Sequence, residues 1–119
     1  NEIECARMAG CEDPQAGYET LKQRYPSLGI LLTLGSEGSV SWKDGTEVRQ
    51  CAYPVKAVDT TGAGDTFNAS FTHCLLHGMD PESAAKFSNA AAARAVTILG
   101  PRGGVAPVSE VEAFLAQHQ

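Results

Sequence analysis

The length, composition and charge of this sequence limit the classes of protein that it can encode. Its 119 residues fit at most one ordinary domain of roughly 100–200 residues, and 43% hydrophobic with 19% charged residues are typical of a folded, globular chain. No apolar run approaches the roughly 20 residues that span a bilayer, and no secretory signal is visible, so we expect a cytoplasmic protein without a membrane partner. A net charge of −5, without a basic cluster, argues against nucleic-acid binding.

Two helices are predicted at the start of the chain. Asn1 is a candidate N-cap for a short helix over residues 2–9. Asp13 followed by Pro14 is typical of a second helix start, because proline suits the first helical position, and Pro26 then ends that helix.

A strand and a β-hairpin are predicted next. The apolar run 29–34 shows no alternation, which favours a strand covered on both faces, as in a parallel sheet. Alternation over 39–43 is followed by the turn pair Asp44-Gly45, which predicts a hairpin with its return strand over 47–53.

Three further helices are predicted in the second part of the chain. They cover residues 63–77, residues 81–99 after Asp80, and a last helix that opens with a capping box from Ser109 to Glu112. Helices that flank a partly parallel sheet indicate an α/β fold, which we expect to be a three-layer αβα sandwich.

The four cysteines have no spacing typical of a metal or redox site. No pair has the CxxC spacing, which excludes a zinc ribbon and a thioredoxin-like motif, and their wide separation does not suit a disulfide scaffold. We expect reduced thiols, buried or half-buried, as in a cytoplasmic protein. The four are Cys5, Cys11, Cys51 and Cys74.

The segment 59–67, Asp-Thr-Thr-Gly-Ala-Gly-Asp-Thr-Phe, carries the clearest chemistry. A β-rich region leads into Gly62, Ala63 and Gly64, and an amphipathic helix begins there. The first N–H groups of a helix lack internal partners, and the helix dipole adds positive charge, so this turn predicts an anion hole that suits a phosphate.

Asp65 requires a separate explanation, because a carboxylate repels phosphate. In the first helical turn beside an anion hole, it is well placed to take a proton from an attacking hydroxyl, as phosphoryl transfer requires. The alternative is that Asp65 is only a favourable first-turn acid and the glycines only a turn. The Walker A and GxGxxG patterns are both excluded, since no lysine has the required position and Phe67 replaces the third glycine.

The whole run 59–67 resembles the signature of the PfkB/ribokinase family of carbohydrate kinases, and its continuation through Ser70 is similar to the ketohexokinase branch. Other segments also resemble that family. They are the NxxE motif at residues 1–4, the strand-to-GxxG nucleotide segment at 33–38, and the Ala-rich helix at 89–96.

The resemblance implies an ATP-dependent kinase that phosphorylates a sugar and uses Mg²⁺. Asp65 would be the catalytic base, and the main-chain N–H groups nearby would form the anion hole. The anion hole would include Gly62, Ala63 and Gly64. Nucleotide binding is implied for Gly35, Ser36, Gly38 and Asn89, and magnesium and phosphate binding for Asn1 and Glu4.

Each of these smaller sites has an alternative interpretation. The alternatives are a helix cap at Asn1, a solvated acid at Glu4, and an ordinary strand-to-hairpin junction at Gly35 and Gly38. For Asn89, the alternative is a side chain that faces water.

The resemblance further implies a monovalent cation site, with K⁺ as the expected ion. Asp59 and the Thr61 carbonyl match two of its ligands, and carbonyls of residues 99–103 would supply the others. That loop departs from the common version of the motif.

His73 and His77 are spaced as neighbours on a helix, as in some zinc sites. No third zinc ligand is evident, so we interpret them as the end of a surface helix.

Members of the family are longer than this chain. The resemblance therefore implies that residues 1–119 form a single-domain fragment, the C-terminal nucleotide-binding half, without a sugar pocket and inactive in isolation. The strand near Leu31 should lack a neighbour on one side and expose apolar surface. Ribose, fructose, a keto-deoxy sugar acid and a nucleoside all remain open as substrates, and a homodimer is one expected assembly of the full-length protein. The alternative functions are a non-catalytic nucleotide-binding or phosphate-binding module and a nucleoside kinase of the same fold.

Overall fold

A computed structural model describes residues 1–102 and 104–118 of the chain. The chain divides into two compact units, Asn1–Arg49 and Gln50–Gln119, and each unit is described by itself. The single domain expected from the sequence stays a prediction.

The first unit begins with two helices at the predicted positions, α1 over Glu2–Ala9 and α2 over Pro14–Arg24. The Asn1 side chain accepts a hydrogen bond from the Glu4 N–H at 3.0 Å and so caps α1. The Asp13 carboxylate accepts from the Ala16 N–H at 2.7 Å and caps α2. These caps satisfy N–H groups that have no partner inside their helices.

A three-stranded sheet completes the first unit, with β1 at Ile30–Thr33, β2 at Ser39–Lys43 and β3 at Thr46–Gln50 in that spatial order. The strands β1 and β2 are antiparallel. The turn between β2 and β3 has positive φ at both Asp44 (50°) and Gly45 (83°), as in a type I′ turn, and confirms the hairpin predicted from this pair.

The environment of β1 differs from the sequence prediction. Only Leu32 of this strand is buried, so the strand is not covered on both faces. The one strand neighbour of β1 in the described part of the chain is antiparallel, so no parallel partner is found there.

The return strand β3 ends at Gln50 instead of continuing to residue 53. The stretch before the glycine-rich turn, residues 51–57, has no regular structure, because no strand of the described residues pairs with it.

The core of the first unit joins its helices to the sheet through apolar contacts. The buried members of this cluster are Cys5, Ala9, Tyr18, Leu21, Leu32 and Val40. Tyr18 is fully buried, and its hydroxyl donates to the Glu47 carboxylate on β3 at 3.1 Å. Lys22 lies 3.5 Å from the same carboxylate and 4.9 Å from the centre of the Tyr18 ring. This polar contact therefore attaches α2 to β3.

The second unit consists of three helices, α3 over Ala63–Leu76, α4 over Pro81–Val96 and α5 over Val108–Gln117. Phe67, Phe71 and Cys74 form the buried face of α3, and the two phenylalanine rings stack at 6.1 Å. The Ala-rich face of α4 is buried as well, which lets neighbouring helices approach closely.

Two helix ends in the second unit differ from the predictions. The helix α4 ends at Val96 and not near Leu99. The Thr97 hydroxyl, directly after the helix, donates to the Arg94 carbonyl at 2.7 Å. The capping box at Ser109 is wrong, because α5 already starts at Val108 and no side chain caps it. Pro107 has an extended backbone directly before the helix, so Ser109 lies inside the first turn.

The four cysteines differ in their exposure. Cys5 and Cys74 are buried and Cys11 is half-buried, as expected, but Cys51 is exposed because it lies in the irregular segment after β3. All four are free thiols.

Among the described residues, no helix combines the length and the hydropathy that crossing a bilayer requires.

Candidate active site

The N-terminus of α3 is built around the predicted glycine-rich turn. Gly62 precedes the helix in the left-handed region, with φ 80°, a conformation that favours glycine. Its carbonyl accepts the Thr66 N–H at 2.9 Å, and the Ala63 N–H donates to the Thr60 carbonyl at 3.2 Å. Within residues 1–102 and 104–118, the N–H groups of Gly64 and Asp65 have no such acceptor. The turn therefore presents free donors at the positive end of a helix dipole.

Asp65 lies in the first turn of α3, directly after Gly64, and its side chain is exposed. A carboxylate in this position is accessible to a reacting group that occupies the donors of the turn. The arrangement therefore places an exposed carboxylate beside main-chain N–H donors on one helix end, and the roles of base and anion hole stay predictions.

Asp59 connects two loops, because each of its carboxylate oxygens accepts a main-chain hydrogen bond. One oxygen accepts the Thr61 N–H at 2.9 Å, and the other accepts the Gly100 N–H at 2.9 Å. Hydrogen bonds from the N–H and the side chain of Thr61, and then the bond from the Gly100 N–H, lower the pKa of the Asp59 carboxyl, because they stabilise its charged form. Asp59 is therefore a charged, oriented group beside the turn.

The segment after α4 contacts the turn. The resemblance draws attention to residues 99–103 of this segment, but sequence reasoning missed Val96. The Val96 carbonyl accepts the N–H groups of Val58 at 2.7 Å and of Asp59 at 3.1 Å. The Pro101 carbonyl lies 3.4 Å from the position that a Cβ on Gly62 would occupy. No local signal indicates a main-chain acceptor at Val96. Gly103, one of the expected cation ligands, lies outside the described residues.

The residues predicted to bind magnesium lie at the start of the first unit. Asn1 caps α1, as the alternative interpretation held, and the Glu4 carboxylate accepts in return from the Asn1 main-chain nitrogen at 2.5 Å. Both side chains are more than half exposed, at 56% and 68%. Amide and carboxylate oxygens are ligands that Mg²⁺ accepts, so this pair is chemically suited to the ion.

The predicted nucleotide residues of the first unit form one turn of 3₁₀ helix, Gly35–Glu37, between β1 and β2. Gly35 and Gly38 both have positive φ, 57° and 107°, and the Leu34 N–H donates to the Gly38 carbonyl at 2.8 Å. Ser36 is exposed on this turn. The geometry equally suits a strand-to-hairpin junction and a nucleotide contact.

Asn89 does not face water, since it is buried in α4 with 5% of its surface exposed. Its amide donates to the Ala85 carbonyl at 2.9 Å.

His73 and His77 are exposed near the end of α3, with ring centres 4.1 Å apart. No cluster of three metal-ligating side chains occurs among the residues that the structure describes.

Comparisons with known proteins identify relatives of this chain. Residues 1–107 match the pfkB family of carbohydrate kinases. The ribokinase of Bacillus subtilis (strain 168) is 42% identical over 92 residues, which make up 77% of this chain and 31% of that protein. The chain spans about a third of the length of the curated relatives that it matches.

Solved structures share the fold. The ribokinase of Arabidopsis thaliana complexed with ribose and ATP matches with a TM-score of 0.87 at 30% identity, over 97% of this chain and 39% of that one. A protein from E. coli solved in complex with ATP and Mg²⁺ matches with a TM-score of 0.89 at 28% identity, over 98% and 38%. The predicted ribokinase-like α/β fold is thereby confirmed. Because the family match extends over nearly the whole sequence, the chain belongs to the pfkB family of carbohydrate kinases.

Proposed function

We propose that the full-length protein transfers the terminal phosphoryl group of ATP to a hydroxyl of a sugar or sugar-like substrate, and that this chain supplies the base, the anion hole and the ATP site. The observation that carries the proposal is the exposed Asp65 carboxylate beside the free N–H groups of Gly64 and Asp65. A module that only binds phosphate gains nothing from a carboxylate at this point, because the charge opposes binding.

In this mechanism Asp65 accepts the proton of the attacking hydroxyl while the oxygen forms its bond to the terminal phosphorus of ATP. The bond from that phosphorus to the bridging oxygen breaks at the same time, and ADP leaves. The N–H groups at the start of α3 donate hydrogen bonds to the oxygens of the transferring group. Since the donors are held by the helix before the reaction, they stabilise developing negative charge without reorganisation. Gly62, Ala63 and Gly64 give the backbone the shape that this requires.

Further residues are proposed to bind the nucleotide and the metal ions. Gly35, Ser36 and Gly38 would contact ATP, and Asn1 with Glu4 would hold Mg²⁺, which neutralises phosphate charge when bound. Asn89 would lie beside the base of the nucleotide, from the buried position in α4 where its amide donates to Ala85. The Asp59 carboxylate and the Thr61 carbonyl are oxygen donors that suit K⁺. A cytoplasmic location and homodimeric assembly belong to the same proposal for the full-length protein.

Replacement of the proposed base tests this function. In the full-length protein, Asp65→Asn should lower kcat by about 10²–10⁴, the usual contribution of a general base, while ATP binding is largely retained. The measurements are turnover with a panel of sugars and nucleosides and calorimetric ATP affinity.

Glu82→Gln is the matched control, because Glu82 is an exposed first-turn acid of α4 and shares the dipole interaction without the anion hole. It should leave kcat unchanged. Near-normal turnover of Asp65→Asn would contradict the assignment of the base. ATP binding by a wild-type protein that phosphorylates no hydroxyl substrate would favour the non-catalytic module, and turnover of nucleosides alone would identify a nucleoside kinase.

A further inference from the structure

The short helix α1 carries the proposed magnesium pair, Asn1 and Glu4, at its N-terminus. An isolated helix needs roughly 12–15 residues to be stable in water, and α1 has only 8. Its conformation therefore depends on packing of its buried residues, which are Cys5, Ala6 and Ala9. The position of the magnesium pair thus depends on the element against which α1 packs, and that element is chiefly α2.

Gly17 on α2 is the first point at which α2 holds α1. It is buried, and a Cβ added there would lie 3.1 Å from the Ala6 Cα and 3.2 Å from the Cys5 carbonyl oxygen. Both distances are shorter than a favourable van der Waals contact, and both atoms belong to the main chain of α1, which cannot rotate away. Glycine therefore permits this close approach, which adjoins Glu4 in sequence.

Arg24, at the last position of α2, is the second point. The last carbonyls of a helix lack partners within it. The Arg24 Nη1 donates to the Met8 carbonyl at 3.4 Å, and its Nη2 donates to the Ala9 carbonyl at 3.2 Å. A cation at this end also interacts favourably with the helix dipole. Arg24 therefore holds the end of α1 that lies opposite Asn1.

We propose that Gly17 and Arg24 are positioning residues for the magnesium-binding pair Asn1 and Glu4. The inference rests on the proposed function and extends it to two residues of α2 that need not touch the ion or the substrate. Ligand groups bind more tightly when the protein holds them in place beforehand, because less ordering is then required on binding. Displacement or fraying of α1 should therefore weaken Mg²⁺ binding and leave the rest of the ATP site intact.

The test uses the full-length protein with Gly17→Ala, Arg24→Gln and Arg24→Lys. Calorimetry measures ATP affinity without Mg²⁺ and over a range of Mg²⁺ concentrations, which gives the half-saturating Mg²⁺ concentration independently of turnover. Gly17→Ala and Arg24→Gln should each raise that concentration about tenfold, the lower end of what outer groups of metal sites contribute, with ATP affinity unchanged when Mg²⁺ is absent. Arg24→Lys should recover part of the loss, since its ammonium group keeps the charge and can donate to one carbonyl.

The Gly17→Ala variant separates the close contact from helix propensity. Alanine is ordinarily the better helix former, so at an open position this substitution would strengthen α2. Weaker Mg²⁺ binding would therefore reflect the displacement of α1. Unchanged Mg²⁺ dependence of Gly17→Ala or of Arg24→Gln would overturn the role of that residue, and a wild-type ATP affinity that does not depend on Mg²⁺ would overturn the inference as a whole.

Two control variants separate positioning from charge and from stability. Arg7→Gln removes an exposed cation from the last turn of α1, and within residues 1–102 and 104–118 the Arg7 side chain donates to no carbonyl of that helix. Tyr18→Phe weakens the first unit on its other side, because the lost hydroxyl bond goes to Glu47 on β3. Both variants should keep the wild-type Mg²⁺ dependence. An equal shift in Tyr18→Phe would assign the effect to lost stability alone and overturn the inference.

Amide hydrogen exchange reports on α1 directly. The Glu4 N–H donates to the Asn1 side chain at 3.0 Å, and the Cys5 N–H donates to the Asn1 carbonyl at 2.9 Å. Both amides should exchange about tenfold faster in Gly17→Ala and Arg24→Gln, and neither should in the controls. Unchanged exchange would contradict the inference whatever the activity. Accelerated exchange and a shifted Mg²⁺ dependence in a protein that binds ATP but phosphorylates no substrate would overturn the proposed kinase function and leave the positioning role in place.

Discussion

At the scale of single residues, small side chains decide which parts of the second unit can approach. Gly62 has a positive φ, which favours glycine, whereas an added Cβ would meet Pro101 at an ordinary contact distance of 3.4 Å. Gly104 shows an even closer approach, because a Cβ added there would lie 2.4 Å from the Cβ of Ala95 on α4. The loop after α4 is therefore packed against that helix as well as against the turn.

The Gly104 contact predicts a stability effect. Gly104→Ala should destabilise the full-length protein by about 1–3 kcal/mol, because the added methyl group forces α4 and the loop apart. Chemical denaturation measures the change. Gly29→Ala is the control, since its nearest contact would be an ordinary 3.7 Å to Lys43, and it should change stability far less. Equal effects of both variants would contradict the packing argument.

At the scale of secondary-structure elements, a charged group joins α2 to β3. Burial alone would raise the pKa of Glu47, but hydrogen bonds from Arg49 and Tyr18 outweigh it and the pKa is lowered. Burial, and after it the hydrogen bond to the Glu47 carboxylate, raise the pKa of Tyr18. The ionised Glu47 therefore holds the buried Tyr18 hydroxyl, and the link depends on the charge of one carboxylate.

This link predicts a pH dependence of stability. Because the folded-state pKa of Glu47 is lowered, its contribution is fully present above the ordinary glutamate range and is lost as the pH falls through the lowered value. Glu47→Gln should reduce stability at neutral pH and flatten the acidic side of the pH profile, as measured by thermal unfolding. Tyr18→Phe should destabilise by about 1 kcal/mol. An unchanged acidic limb in Glu47→Gln would refute this interpretation.

At the scale of the whole molecule, the chain spans about a third of the length of its curated relatives. The strand β1 has a strand neighbour on one side only among the described residues, as the sequence predicted. Its own apolar side chains are half-buried or buried, however, and the strongly exposed large apolar side chains lie outside this strand. The most exposed of these side chains are Leu76, Leu99, Val105, Met8 and Ile3. Such surfaces commonly pack against further protein.

The 119-residue chain alone is therefore expected to show no sugar phosphorylation, because a closed site that excludes water and a sugar pocket are needed for transfer. The full-length protein should be active with the same substrates and serves as the control. The measurement is ADP release with a sugar panel in the presence of Mg²⁺. Turnover of any sugar by the isolated chain would contradict this prediction.

The sequence alone determined the features that depend on neighbouring residues. The caps at Asn1, Asp13 and Asp80, the Asp44-Gly45 turn and the helix start at Gly62 all appear where the sequence predicted them, since each depends on one side chain or one backbone conformation within a few residues. The run 59–67 also determined the family, because a motif keeps its meaning without knowledge of distant contacts.

Only the tertiary structure decided the features that depend on distant residues. The bond from Gly100 to Asp59, the contact of Pro101 with Gly62 and the close approach of Gly104 to Ala95 have no local signal. The burial of Asn89 likewise depends on what packs against α4, which a helical pattern does not reveal. Even a local signal failed at Ser109, where the helix begins directly after Pro107. These features depend on where the end of one helix lies relative to another loop, and that position results from packing of the whole unit.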